Sequence, residues 1–199
     1  MKKKILFLSL AMLLIAALVP TTAMAAPANI RHPKTTAFQA VAETYISAGG
    51  NVTITRQFGS LVYEKTVGEQ LAGQVISSSN WPDFSNAQFV MDVVTNNAVL
   101  NMRTLDLSGI GSGTITVFGA DGTSMIQGTF SCIIRGKFIL DNAGFPLFYQ
   151  VTDMATFDLS NGSGVFSGEK ASGTAVIQLA PDYSLGTLAG QMTINGILR

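Results

Sequence analysis

The stretch Ser124-Met125-Ile126-Gln127-Gly128-Thr129-Phe130-Ser131-Cys132-Ile133-Ile134-Arg135-Gly136-Lys137-Phe138-Ile139-Leu140 decides the fold. Ile126, Phe130, Cys132, Ile134, Phe138 and Leu140 share one parity, while Gln127, Thr129, Ser131, Arg135 and Lys137 share the other. Successive side chains of a strand point to opposite faces, so this period of two describes a strand with one dry face and one wet face. The end of the chain repeats the pattern, with Leu188, Met192, Ile194 and Leu198 set against Thr187, Gln191, Thr193 and Asn195. Shorter alternations run through 88–94, 113–119, 154–159 and 171–179. Asp121-Gly122 sits between two such runs, and both residues readily take the positive φ angles of a tight hairpin. Asp141-Asn142-Ala143-Gly144 and Asn161-Gly162-Ser163-Gly164 mark further turns, and Pro181-Asp182 closes the penultimate strand.

Working outward, residues 38–46 read two ways. Phe38, Val41, Ala42, Tyr45 and Ile46 fall at helical spacing, whereas Ala40, Ala42, Thr44 and Ile46 alternate. The strand is preferred, because Asn51-Val52-Thr53-Ile54-Thr55 is extended and a Gly49-Gly50 turn would pair the two segments. The expected architecture is all-β, a single antiparallel, mostly meander β-barrel of about eight strands, with a β-sandwich as the alternative. Gly128, Gly173, Gly190 and Gly196 are expected where a closing sheet bends.

Ahead of this domain stand Lys2-Lys3-Lys4, an apolar run from Ile5 to Val19, Pro20 and Ala23-Met24-Ala25-Ala26, the order of a secretory signal peptide. The expected division is a signal peptide over 1–25, a flexible segment over 26–35 and the barrel over 36–199, which places the mature chain outside the cytoplasm, secreted, periplasmic or on the cell surface. An uncleaved membrane anchor is the alternative. Lys and Arg total 12, as do Asp and Glu, so the formal net charge is zero and nothing attracts nucleic acid. One cysteine excludes an intrachain disulfide, and one histidine and one cysteine cannot build a His- or Cys-rich metal site. No metal or other cofactor is expected.

Gly162-Ser163-Gly164-Val165-Phe166-Ser167-Gly168-Glu169-Lys170-Ala171-Ser172-Gly173-Thr174-Ala175-Val176 resembles the glycine-rich signature G-[ST]-G-x-F-x-G-x-x-G of the allene oxide cyclase and dirigent-like β-barrels. Ala171 and Gly173 depart from the family's tighter glycine placement. The resemblance implies an eight-stranded barrel around an apolar cavity, often as dimers or trimers. It carries over no catalytic residue, so an isomerase- or cyclase-like activity would rest on fold analogy alone.

Catalytic constellations are sparse. His32 lies in Arg31-His32-Pro33-Lys34 near the mature N-terminus, away from any triad, and Cys132 shares parity with core residues. Asp153 with Asp158, or Asp92 with Asp106, are the carboxylate pairs that a sheet could bring together. Arg56 shares parity with Val52, Ile54 and Phe58, and Arg103 is flanked at i±2 by Asn101 and Leu105, which makes both candidate polar anchors of a cavity. Trp81, in the turn-rich stretch 77–86, is a candidate binding edge, or with Phe84 a plug on the barrel end. The functional expectation is an exported barrel that binds a small apolar ligand in its interior; alternatives are a non-enzymatic cell-surface or assembly module, including a homo-oligomer, and an outer-membrane barrel.

Overall fold

The computed structural model describes residues 35–140, 142–143 and 146–199. Residues 1–25, read above as a signal peptide, His32 and the turn residues Asp141 and Gly144 lie outside the described residues, as does the side chain of Leu140. Among the described residues ten strands follow one another: β1 (Thr36–Ala48), β2 (Asn51–Phe58), β3 (Leu61–Val67), β4 (Glu69–Ser79), β5 (Gln88–Asn101), β6 (Asp106–Phe118), β7 (Met125–Leu140), β8 (Pro146–Ser163), β9 (Ala171–Asp182) and β10 (Thr187–Leu198). Eight of them, in the order β4-β1-β10-β9-β8-β7-β6-β5, form a ring of antiparallel pairs that returns from β5 to β4. The structure is therefore the closed barrel and not the sandwich. Residues 38–46 are strand, in β1.

The alternation read in β7 holds. Ile126, Phe130, Ile134 and Phe138 are buried, Cys132 is half-buried, and Gln127, Thr129, Ser131, Arg135 and Lys137 are exposed. The outer row of β7 is mostly polar, interrupted by the exposed Met125 and Ile133. The expected hairpin at Asp121-Gly122 joins β6 to β7. Gly122 has φ +68°, and Asp121 Oδ1 accepts from the backbone N–H groups of Thr123 and Ser124.

Gly49-Gly50 does not fold β1 back on β2. β1 pairs with β10 and β4, and β2 pairs with β3 alone, so the chain runs on through the two glycines into a longer hairpin turned at Gly59-Ser60. The reason is close approach. A Cβ on Gly50 would lie 2.6 Å from Thr66 Cγ2 and 2.8 Å from the Glu69 nitrogen. The β2–β3 tip extends past the ring, and all eight residues of β2 are exposed.

Inside, four phenylalanines face a glycine across a strand pair: Phe38 and Gly196, Phe89 and Gly73, Phe130 and Gly113, Phe157 and Gly173. The bare backbone gives three of these rings their seats. A Cβ on Gly73 would collide with the Phe89 ring and the Glu43 carbonyl, one on Gly113 would lie 2.9 Å from Phe130 Cε1, and one on Gly196 would lie 2.5 Å from Phe38 Cε1. A narrow barrel fills its interior with large side chains only where small ones face them.

One end is sealed. Trp81 stacks on Phe84 (centroids 4.5 Å apart, 12° between planes) and meets Phe38 and Phe166 edge-on at 4.9 and 5.9 Å. Its indole Nε1–H donates to Glu169 Oε2 at 2.8 Å. A lone buried indole N–H would cost stability, and this acceptor satisfies it. The connection from β8 to β9 completes this cap with a 3-10 turn (Gly164–Phe166) in which Phe166 is fully buried, while Ala171–Val176 continues as β9.

Gly73→Ala should destabilise the protein by about 1–3 kcal/mol in urea unfolding, because the added methyl must displace Phe89 or the β1 backbone. Gly49→Ala, with nothing within 4 Å of its Cβ, should change stability by less than about 0.5 kcal/mol.

Candidate functional site: a lumen lined with carboxyls

The end opposite the plug is open, and two facing irregularities shape it. Gly68, at φ +76°, separates β3 from β4 and donates its N–H to the Val93 carbonyl at 3.1 Å. On the neighbouring strand the β5–β6 register shifts between Val93 and Thr95. An extra residue in a strand reverses which parity faces inward beyond it. The lumen row of β3, with Glu64 and Thr66, accordingly continues in β4 as Glu69 and Leu71, and that of β5 passes from Met91 and Val93 to Asn96 and Ala98. On the opposite wall Asp153 takes a lumen position of β8, level with Ile134 of β7 and Ile177 of β9.

These residues surround a cavity of about 230 Å³ whose remaining walls are mostly aliphatic, among them Val93, Ile134, Ile177 and Leu179. Below it, between the cavity and the plug, the interior is packed by Phe130, Ile115, Met192 and Ile194 around a void of about 20 Å³. Val52 of the projecting hairpin lines the cavity while remaining 60% exposed, so the apolar wall continues out of the barrel.

The electrostatics follow from acids held in an apolar tube. Burial, and then the charge of Glu69, push the Asp153 carboxyl up to about 7. Burial also raises Glu69 and Glu64 above the usual carboxylate range. Cys132, on the same wall, is pushed up to about 12 by burial and then by the charge of Asp153, so at neutral pH it is a thiol and a poor nucleophile. Asp153 Oδ1 and Asn96 Oδ1 are buried without a hydrogen-bond partner. The carboxyl of Asp153 is thus able to give or take a proton near neutral pH, and the cavity offers acceptors to any donor that enters it.

None of the three residues singled out as ligand contacts reaches this cavity. The shift in β2–β3 pairing between Ile54 and Arg56 moves Arg56 off the face of Ile54, and its guanidinium lies exposed over Tyr63, 5.9 Å from the ring centroid. Arg103 is exposed in the β5–β6 connection, its backbone N–H donating to Asn101 Oδ1 at 3.0 Å. Trp81 is wholly buried in the plug at the other end. The carboxylate pairs also resolve differently. Asp158 and Asp92 are exposed, the latter accepting from Gln70 Nε2, and Asp106 is paired with Lys137 on the surface at 2.9 Å. Asp153 goes inside, and the acid it meets there is Glu69. Its signal was in the chain, since Asp153 shares parity with Val151, Ala155 and Leu159.

A carboxyl with a higher pKa folded than unfolded stabilises the fold fully below its unfolded value and loses that contribution as pH rises through the folded value. For Asp153 the window runs from 3.8 to about 7 and amounts to on the order of 4 kcal/mol. Asp153→Asn should therefore flatten most of the decline in urea midpoint between pH 4 and pH 7, and curves that stay parallel for both proteins would show that Asp153 is not desolvated. Comparison of the sequence and the structure with known proteins finds no matching family model, curated protein or solved structure.

Proposed function

We propose that this chain is an exported β-barrel that binds a small, largely apolar molecule in its lumen. The observation that carries this reading is the one-ended cavity: aromatic packing closes one mouth, while the other opens along Val52 into about 230 Å³ of mostly aliphatic wall. That volume lies below the usual range of about 300–1,000 Å³ for ligand pockets and suits a short-chain molecule. The resemblance of 162–176 to the allene oxide cyclase and dirigent-like barrels supports the same reading, and the basic and apolar N-terminal segment supports export.

Titration with hexan-1-ol followed by methyl NMR should give saturable shifts at Val93, Ile177 and Leu179. Ala98→Phe, which places a ring in the lumen, should weaken that binding by about tenfold or more while the spectrum stays dispersed. Absence of any saturable shift in the parent protein would overturn the reading.

A second reading, an assembly module, is favoured by one feature of the outer face. Ile110, Ile133, Met154 and Val176 pair in register across β6 to β9, and all four are exposed. An apolar ladder on a barrel wall suits contact with another copy. Light scattering after size exclusion should then show a dimer or trimer that Met154→Lys converts to monomer; a monomer at high protein concentration would remove this reading.

A further inference from the structure

The lumen is unusual in the sign of its charges. Its ionisable carboxyls are Glu64, Glu69 and Asp153, and among the described residues no lysine, arginine or histidine lines it. Removing a carboxylate from water is expensive unless a cation or a set of donors replaces the water. Among the described residues neither is supplied to Asp153, whose Oδ1 is buried without a partner, as is Oδ1 of Asn96 on the facing wall. The strands packed against β8 bring no cation: β7 presents Cys132 and Ile134, and β9 presents Ile177 and Leu179, while Glu69 and Glu64 come from β4 and β3. A buried acceptor left unpaired is costly, so this lining is complementary to a group that is positively charged and rich in donors. A bare metal ion does not fit, because among the described residues no three ligating side chains converge on one point. The aliphatic walls are in turn complementary to an apolar body attached to that group.

We propose that the lumen takes a short aliphatic amine, its ammonium group docked against the carboxyls of Asp153 and Glu69 and its chain lying against Val93, Ile177 and Leu179. This rests on the lumen being a binding site at all. An ammonium group carries three donors and no acceptor, the complement of two carboxyls and an amide oxygen. A hydroxyl fills the same space but leaves the charge uncompensated, and a carboxylate adds a further negative charge. Binding is coupled to protons. An alkylammonium stays charged to about pH 10, so below neutral pH it must displace the proton of Asp153, and affinity rises with pH until that carboxyl is ionised.

The test compares three probes of one length, hexylamine, hexan-1-ol and hexanoate, on the purified protein by calorimetry and methyl NMR. At pH 8 hexylamine should bind about tenfold or more tightly than hexan-1-ol, and hexanoate weakest of the three. The advantage of the amine should shrink at pH 5. Asp153→Asn and Glu69→Gln should each weaken hexylamine by a larger factor than they change hexan-1-ol, so that the roughly tenfold preference for the amine shrinks while methyl NMR still shows the alcohol bound, a readout that loss of folding would not give. If the alcohol binds as tightly as the amine, or if both variants keep the preference, the amine assignment is wrong and the lumen remains a site for neutral molecules. If none of the three probes binds, the lumen reading itself falls, and the amine assignment with it.

Discussion

The seam between β1 and β10 is the constraint on which the rest depends. Thr36 pairs with Leu198 and Tyr45 with Ala189, so the first and last strands of the barrel zip together along most of their length. Without that pairing the meander would leave two open edges and a sheet with no enclosed side. With it, the parity of every strand acquires a meaning, lumen or solvent. The seam joins residues at opposite ends of the domain, and such non-local pairing carries a large loop-closure cost that local turns do not share. The chain meets that cost with inward phenylalanines seated on glycines and with the stack of Trp81 on Phe84 at one mouth.

The two mouths then differ for local reasons. At the sealed end the connections are compact and deliver aromatic side chains, and Glu169, 88 residues from Trp81 in the chain, supplies the acceptor that lets the indole be buried. At the open end the facing irregularities at Gly68 and at Val93/Thr95 exchange the parity of two adjacent strands. Glu69 and Asn96 enter the lumen because of that exchange. Beside them the β2–β3 hairpin projects with one unpaired edge, because β10 pairs with β1 no further than Tyr45 and Ala189 and β2 pairs with β3 alone.

Much of the fold was legible in the sequence because period-two alternation is a direct print of strand geometry. The parity of β7 and β10, the Asp121-Gly122 hairpin and the strand over 38–46 all follow from it. What was not legible depended on single extra residues. The pairing shift beside Thr55 turned Arg56 outward, and Gly68 brought Glu69 in, and neither leaves a mark in composition. Gly49-Gly50 read as a turn because glycine pairs often make turns, whereas here Gly50 serves the close approach of Thr66 and Glu69. Asp153 is legible, since it shares parity with Val151, Ala155 and Leu159, and the same parity puts Asp158 on the other face and rules out the expected pairing of the two.

The central claim is that the fold holds a carboxyl in a dry, open-ended lumen. The most direct measurement is a carbon-13 NMR titration of the Asp153 side-chain carboxyl in the folded protein. A midpoint near pH 7 is the result that the burial of Asp153 beside Glu69 requires. A midpoint at the ordinary value of 3.8 would mean that water reaches the group freely, and the lumen described here would not exist.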